Sequence, residues 1–422
     1  MWRGLYRVLW WFAPPVIRRY LRRRARGNAA YLEHWDERFG VPKADVWRDV
    51  IWIHAVSVGE TNAALPIVRA LQTRLPESRF LITQMTPTGR DTAQRLFPEA
   101  QCRYLPYDKP EYVRQFLDEH APRIGVFMET EIWANLLHAC AQRRIPTVLA
   151  NARLSEKSLR GYVRAAGLFR PAFAALSLVL AQTEADKTRL ETAGARLVAV
   201  SGNSKYDLPP NAAAQATAEL FRQRIGQRPV VVCGSTREKN GTDEAQLLLD
   251  AWRQHDAGHA LLVIVPRHPE RFQAAFEAAQ QAGFTAQKRS DNAPVAADTQ
   301  VWIGDSMGEL FAYYLCADIA FVGGSLVDTG CQNVIEPIAC GVPTLFGFST
   351  YNFAAACAAA AETGAARQVH TAEEWAQVCH SWLGNDAARH SVVGRARGFI
   401  ARHAGASEKM ADAMVHLLQS AA

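Results

Sequence analysis

Glu60 occupies a position in the sequence where an enzyme can place a general base. It follows the apolar run of residues 50–54 and the turn residue Gly59, and the apolar spacing of residues 64–71 predicts a helix there. A carboxylate at such a strand end can take a proton from an acceptor hydroxyl as a sugar is transferred. The alternative is a Glu that only complements the dipole of its helix.

Further charged groups follow other strand-like runs in the first half of the chain. Glu129 and Glu131 come after the run 124–128, and Arg153 follows the next run, so it is a candidate partner for either acid. Buried acids are costly unless they are paired or functional; we expect Glu131 to be functional, and for Glu129 a structural ion pair is at least as plausible as catalysis. Lys205 can reach a phosphate or a developing oxyanion, or is a solvated linker charge.

Residues 321–347 predict a nucleotide-sugar pocket in the second half. A short apolar run ends at Gly323-Gly324, where small residues let backbone N–H groups approach a ligand, and helical spacing runs from Asn333 to Ala339. Glu336 lies one turn into that helix, where a carboxylate can take two sugar hydroxyls. The alternative is an ordinary βαβ unit without a ligand.

Other strand ends of the second half carry Gly, Ser, Arg, His and acidic residues. Residues 234–237 resemble a backbone cradle for phosphate, and Arg267 and His268 follow the next strand. No Asp-x-Asp follows a strand and no clustered His set is present, so a metal-bound diphosphate is not predicted. A donor with a single phosphate, neutralised by Arg267, Lys205 and helix N-termini, fits better.

Strand-like runs separated by helix-length segments predict parallel sheets covered by helices. We expect an α/β chain with two Rossmann-like domains facing across a cleft that holds the ligand. The predicted boundaries are a membrane-interface segment at 1–30, a domain at 31–205, a linker at 206–218, and a second domain at 219–422 that includes the C-terminal helices.

The basic charge of the chain is concentrated at its N-terminus. The net charge is +6, but residues 1–30 hold eight Arg and no acidic residue, and the rest has 39 basic against 41 acidic residues. Trp-rich apolar positions beside Arg, broken at Pro14-Pro15, favour a helix at the cytoplasmic face of an anionic inner membrane. A helix packed on its own domain is the alternative. The eight scattered Cys predict free thiols in a reducing compartment, and no nucleic-acid partner is expected.

The motifs together resemble the transferases of 3-deoxy-D-manno-oct-2-ulosonic acid (Kdo). The resemblance runs nearly end to end and rests on several segments: His54-Ala-Val-Ser-Val-Gly-Glu60, Met85-Thr-Pro-Thr-Gly89, Tyr104-Leu-Pro-Tyr-Asp108, Glu129-Thr-Glu-Ile-Trp133, Asn151-Ala-Arg-Leu-Ser155, Pro266-Arg-His-Pro-Glu-Arg-Phe272, Gly304-Asp-Ser-Met-Gly-Glu-Leu310 and Phe321-Val-Gly-Gly-Ser-Leu326. It implies a GT-B glycosyltransferase, inverting and metal-independent, that moves Kdo from CMP-Kdo to a lipid A precursor (lipid IVA) in lipopolysaccharide biosynthesis. A GT-B enzyme acting on a UDP-sugar is the alternative. CMP-Kdo is then a substrate, and no cofactor is expected.

The resemblance also implies roles for individual residues. Glu60 matches the family's general base, and Glu131 and Lys205 match a pair that stabilises the transition state. With the strand-end residues named above, the predicted CMP and donor site is Ser235, Thr236, Pro266, Arg267, His268, Met307, Gly308, Glu309, Gly324, Asn333, Val334, Ile335 and Glu336. Arg237, Ala134, Cys331 and Gln332 depart from the commonest family pattern; Gln332 cannot ionise, so a role that needs an imidazole is in doubt there.

Overall fold

A computed structural model describes residues 2–208, 210–255 and 258–421. The chain forms two compact units, one of residues 2–208 with 405–421 and the other of residues 210–404. Each unit is built on a seven-stranded sheet.

The sheet of the first unit is parallel throughout, with strand order β3-β2-β1-β4-β5-β6-β7. Its strands are β1 (Ile51–His54), β2 (Phe80–Gln84), β3 (Gln101–Tyr104), β4 (Ile124–Met128), β5 (Thr147–Ala152), β6 (Leu178–Ala181) and β7 (Val198–Val200). The order reverses between β1 and β4, which is where doubly wound sheets bind ligands beyond the carboxyl ends of their strands.

Helices cover both faces of this sheet. They are α1 (Trp2–Arg24), α2 (Trp35–Arg38), α3 (Val58–Arg74), α4 (Pro87–Leu96), α5 (Pro110–His120), α6 (Ala134–Gln142), α7 (Glu156–Arg164), α8 (Ala166–Ala174) and α9 (Glu184–Ala193). Alternate residues of each strand pack on opposite faces: Ile51 and Ile53 join one apolar cluster, while Trp52 joins the other.

The second unit repeats the doubly wound plan with strand order β12-β13-β11-β8-β14-β15-β16. Its strands are β8 (Val230–Thr236), β9 (Glu238–Lys239), β10 (Thr242–Asp243), β11 (Leu261–Pro266), β12 (Ala286–Lys288), β13 (Val301–Ile303), β14 (Ile319–Val322), β15 (Thr344–Phe346) and β16 (Ala366–Gln368), of which β9 and β10 form a separate hairpin. Its helices are α10 (Ala212–Ile225), α11 (Glu244–Arg253), α12 (Phe272–Gln281), α13 (Leu310–Leu315), α14 (Ile335–Ala339), α15 (Ala354–Glu362), α16 (Ala372–Leu383) and α17 (Asp386–His403). Here the order reverses between β8 and β14.

The last helix, α18 (Ala406–Ala421), belongs to the first unit, contrary to the predicted boundary. Met410, Met414 and Leu418 are buried in the same apolar cluster as Ile51 and residues of α3. The helical pattern of α18 was recognised in the sequence, but periodicity identifies an apolar face and not the partner that covers it.

The predicted linker at 206–218 is also wrong for most of its length. Leu208 still belongs to the first unit, Pro209 lies outside the described residues, and α10 begins at Ala212 with Asn211 as its N-cap. Alanine is the strongest helix former and Asn is a favoured N-cap residue, so the Ala-rich run favours a helix over an open linker.

Helix α1 continues through Pro14 and Pro15, where the sequence predicted a break. The φ angle that proline imposes is compatible with a helix, although each proline removes a hydrogen-bond donor. Many large apolar side chains of α1 are exposed: Trp2, Leu5, Val8, Leu9, Trp11, Phe12, Val16 and Tyr20. No helix in the described ranges has the length and apolar character needed to cross a membrane.

Candidate active site

Glu60 lies on the first turn of α3, at the carboxyl end of β1 and beside the point where strand order reverses. Its Oε2 accepts a hydrogen bond from the backbone N–H of Val56 at 2.8 Å, and its Oε1 accepts one from the Ser57 hydroxyl at 3.2 Å. Burial raises the pKa of Glu60 to about 8, and the negative charge of Glu131 adds to this shift. A carboxyl with a pKa near the operating pH is well suited to general base catalysis.

Glu131 follows β4 and lies close to the same strand ends. Its Oε2 accepts a hydrogen bond from the indole N–H of Trp133 at 2.7 Å, and the Nε2 atom of His54 lies 4.0 Å from it. Burial raises the pKa of Glu131 and lowers the pKa of His54 to about 3, so the imidazole is neutral and does not balance the acid. The negative charge of Glu129 further raises the pKa of Glu131, and the negative charge of Glu131 further raises the pKa of Glu60.

Lys205 forms an ion pair with Glu129, and its role with Glu131 in stabilising the transition state stays a prediction. Lys205 Nζ lies 2.6 Å from Glu129 Oε1, and Arg153 Nε donates to Glu129 Oε2 at 2.8 Å. Burial opposes ionisation of Glu129, but Lys205 and then Arg153 outweigh it, so the pKa of Glu129 lies below its usual range. The ion pair with Arg153 that the sequence allowed is present.

Two residues at the same strand ends have positive φ angles. Glu129 has φ 56° and Asn151 has φ 52°, both in the left-handed region that non-glycine residues rarely adopt. Asn151 Oδ1 accepts the N–H of Ser204, so the strained residue also fixes the 3₁₀ turn Ser204–Asp207 that carries Lys205. Such strain concentrates at functional sites because the surrounding structure must maintain it.

In the second unit, the backbone N–H groups expected to face a ligand are already bonded within the chain. Glu244 accepts the N–H of Gly324 at 2.6 Å, and it also accepts the N–H groups of Arg237, Ser325 and Leu326. The N–H of Gly324 is therefore bonded to Glu244 in the structure, and the assignment of Gly324 to the donor site stays a prediction. Ser235 and Thr236 lie at the end of β8, where Ser235 has φ 61°.

The segments after β11 and β13 expose several predicted donor-binding groups. Arg267 and His268 are exposed after Pro266, the last residue of β11, and Met307 and Gly308 are exposed after β13. Partial removal of the ring from water lowers the pKa of His268, and the charge of Arg237 lowers it further, so the ring is neutral near pH 7.

Glu309 is held by a residue that the sequence analysis did not single out. Arg289 donates from Nε and Nη2 to the two carboxylate oxygens of Glu309, both at 2.8 Å. This paired geometry is among the stronger side-chain interactions and fixes the orientation of the Glu309 carboxylate.

The helix predicted from Asn333 to Ala339 is shorter in the structure, because α14 begins at Ile335. Asn333 donates its side-chain N–H to Glu336 Oε1 at 3.0 Å and accepts the N–H of Ile335. Val334 and Ile335 are buried, so of the four predicted residues only Asn333 and Glu336 are partly exposed to solvent.

Sequence reasoning missed Glu244, Arg289 and His54 as members of these clusters. Glu244 is one of several acidic residues in a polar segment and does not directly follow an apolar run. Arg289 lies 20 residues before Glu309, so no local spacing connects the two residues. Only His54, the last residue of a strand whose loop was already singled out, carried a usable signal. Within the ranges that the structure describes, no group of three or more His, Cys, Asp or Glu is placed to hold a metal ion.

Comparison with known proteins identifies the family of this chain. The family model described as 3-deoxy-D-manno-octulosonic-acid transferase matches residues 33–208. The 3-deoxy-D-manno-octulosonic acid transferase of Bordetella pertussis is 38% identical over 98% of this chain and 99% of its own length. The chain belongs to the 3-deoxy-D-manno-octulosonic acid transferase family. The Haemophilus influenzae member is 36% identical over 84% of each chain.

Solved structures confirm the predicted GT-B architecture. The UDP-GlcNAc 2-epimerase of Neisseria meningitidis, solved with UDP-GlcNAc, superposes with a TM-score of 0.60 over 88% of this chain at 14% identity. At that identity the likeness concerns the fold alone. The family that the sequence motifs indicated is likewise confirmed.

Proposed function

We propose that this protein transfers Kdo from CMP-Kdo to a hydroxyl of a lipid A precursor, as an inverting and metal-independent glycosyltransferase. The acceptor oxygen forms a bond to the anomeric carbon of Kdo while the bond from that carbon to the CMP phosphate oxygen breaks. The hydroxyl proton passes to Glu60, and CMP leaves as the anion.

The position of Glu60 is the observation that carries this proposal. Its carboxyl lies where the strand order of the first sheet reverses, between β1 and β4. Burial and, to a lesser extent, the charge of Glu131 raise its pKa to about 8. A carboxylate with such a pKa is a far stronger base than an exposed Glu, and near pH 8 half of the molecules hold it ionised. Family membership of the chain supplies the sugar that is transferred.

Lys205 and Arg153 supply positive charge near the same strand ends. Glu129 binds both and holds Lys205 at 2.6 Å, so the cation is oriented before substrate arrives. In this proposal the Lys205 ammonium stabilises negative charge in the transition state. Glu131 contributes through its negative charge, which raises the pKa of Glu60.

Arg267, Glu336 and the other exposed members of the predicted donor site lie in the second unit and are assigned to CMP-Kdo. CMP carries a single phosphate, so its departure requires less charge neutralisation than that of a diphosphate, and the Arg267 guanidinium supplies one positive charge. This requirement supports a reaction without a metal ion.

The N-terminal helix supports a location at the cytoplasmic face of the inner membrane. Trp11 and Phe12 expose 66% and 70% of their surface, and Arg19, Arg22 and Arg23 are exposed further along α1. Aromatic side chains favour the headgroup region of a bilayer, and Arg side chains are attracted to anionic lipids. We assign α1 to the membrane interface, where the lipid acceptor resides.

Mass spectrometry of a tetraacylated lipid A precursor, incubated with the protein and CMP-Kdo, tests this function. We expect a mass increase of one or more Kdo residues and release of an equal number of CMP molecules. The Glu60→Gln variant should fold normally and lose about 10²–10⁴-fold in rate, since a general base contributes this much.

Two controls address the donor and the metal. Excess CMP should inhibit and excess UDP should not, whereas inhibition by UDP alone would favour a UDP-sugar enzyme. A chelator should leave the rate unchanged. A folded protein that binds CMP and adds no Kdo would refute the assigned acceptor.

A further inference from the structure

The carboxylate of Glu244 joins the two loops that meet where strand order reverses in the second unit. Oε2 accepts the N–H groups of Arg237 at 3.1 Å and Gly324 at 2.6 Å, and Oε1 accepts those of Ser325 at 3.0 Å and Leu326 at 2.8 Å. Arg237 follows β8, and the other three residues follow β14. One side chain thus fills a position where such folds commonly bind an anionic ligand group.

Glu244 is completely buried, and its environment is made for a carboxylate. Burial raises its pKa to about 7, while the four backbone N–H groups favour the charged form. Glu244 is also the first residue of α11, where the helix dipole favours a negative charge. A buried carboxylate is costly unless hydrogen bonds compensate it, and here four backbone N–H groups do so.

Both loops lead directly to predicted donor-binding residues. On one side, the Thr236 carbonyl accepts the N–H of Arg267 at 3.0 Å. On the other, the carbonyl of Gly323 accepts the N–H of Gln332 at 3.1 Å, which closes the loop immediately before Asn333. A shift of Glu244 would therefore move Arg267 and the segment that carries Glu336.

We propose that Glu244 is a positioning residue for the sugar-nucleotide donor, which acts by joining the β8 and β14 loops and so placing Arg267, Asn333 and Glu336. The proposal rests on the function given above. Glu244 does not touch the donor itself, because its oxygens are occupied by the four backbone groups.

The Glu244→Gln variant tests this role with little change in size. Each carboxylate oxygen of Glu244 accepts two backbone N–H groups, whereas a side-chain amide has one acceptor oxygen and one NH₂ donor. In the variant, two of the four backbone N–H groups therefore face the NH₂ group and lose their acceptor. Loss of these charged hydrogen bonds should make the β8 or the β14 loop less firmly held in the position that binds the donor. We therefore expect the KM for CMP-Kdo and the Kd for CMP to rise about tenfold or more. The KM for the lipid acceptor should stay within about twofold, because Glu244 lies in the second unit only.

Glu219→Gln is the matched control, since Glu219 is exposed on α10 of the same unit. It should leave both KM values unchanged. If Glu244 only stabilised the fold, Glu244→Gln would lower the fraction of active protein and hence kcat, with an unaltered KM for CMP-Kdo. That result would overturn the proposal.

Amide hydrogen exchange of the wild-type protein covers the case in which Glu244→Gln fails to fold. The N–H groups of Gly324, Ser325 and Leu326 should be strongly protected before CMP is added, and CMP should change their protection little. Rapid exchange that CMP suppresses would mean that these groups bind the ligand and that Glu244 does not organise them. A wild-type protein without Kdo transfer would instead refute the proposed function, whatever the exchange of these amides.

Discussion

The pH dependence of the reaction should follow the ionisation of Glu60. With a pKa of about 8, Glu60 is ionised in about 1% of molecules at pH 6, about 9% at pH 7 and about 90% at pH 9. Because only the carboxylate can accept the proton, we expect kcat/KM for the lipid acceptor to rise about tenfold from pH 6 to 7 and about tenfold again from pH 7 to 9. Initial rates at saturating CMP-Kdo, with thermal melting at each pH to confirm folding, measure this profile.

Burial is the main cause of the raised pKa of Glu60, and the Glu131→Gln variant tests the additional contribution of the Glu131 charge. The charge of Glu131 raises the pKa of Glu60, so its removal should move the midpoint of the profile to lower pH even if the maximal rate falls. Glu60→Gln should remove the rise altogether. A profile that is flat from pH 6 to 8.5, or one with a midpoint near pH 4.5, would refute the assignment of Glu60 as a buried base.

Three further perturbations have outcomes fixed by the contacts described above. Lys205→Met removes the ion pair between Lys205 and the buried Glu129, so we expect the free energy of unfolding, measured in urea, to fall by about 3 kcal/mol. We also expect kcat to fall at least about tenfold, and an unchanged kcat would exclude the role assigned to Lys205. Trp11→Ser combined with Phe12→Ser should weaken sedimentation with anionic vesicles while activity on a detergent-solubilised acceptor is retained, and equal sedimentation would contradict the membrane assignment. Met414→Ala should destabilise the first unit by about 2–5 kcal/mol, and an unaltered melting curve would contradict the packing of α18.

The interior of the fold was more predictable from sequence than its margins. Central strands such as β1, β4 and β11 are buried on both faces, so they appear in the sequence as uninterrupted apolar runs. In the two seven-stranded sheets, strands β3, β12 and β16 were missed, and all three lie at sheet edges, where polar residues are tolerated. Their short, mixed sequences resemble loops because half of their surroundings is solvent.

The site was predictable where chemistry follows a strand and not where it depends on partners. Glu60, Glu131 and Lys205 were identified because they follow apolar runs, yet the sequence could not reveal that Glu129 is the partner of Lys205. In the same way, Gly324 was recognised as a turn residue, while the carboxylate that occupies its N–H is 80 residues earlier in the chain. Hydrogen bonds between distant segments leave no local pattern of spacing.

The return of α18 to the first unit determines the order in which the protein can fold during synthesis. The second unit is one continuous segment, residues 210–404, and can complete its core while translation continues. The first unit begins earlier but cannot bury Ile51 and the apolar face of α3 fully until Met410 and Met414 leave the ribosome. The nascent first unit therefore keeps apolar surface exposed throughout the synthesis of the second, the period in which chaperone binding and aggregation compete with folding. A protein interrupted near residue 404 would lack part of the apolar core that α3 shares with α18, although every residue assigned to catalysis would already be present.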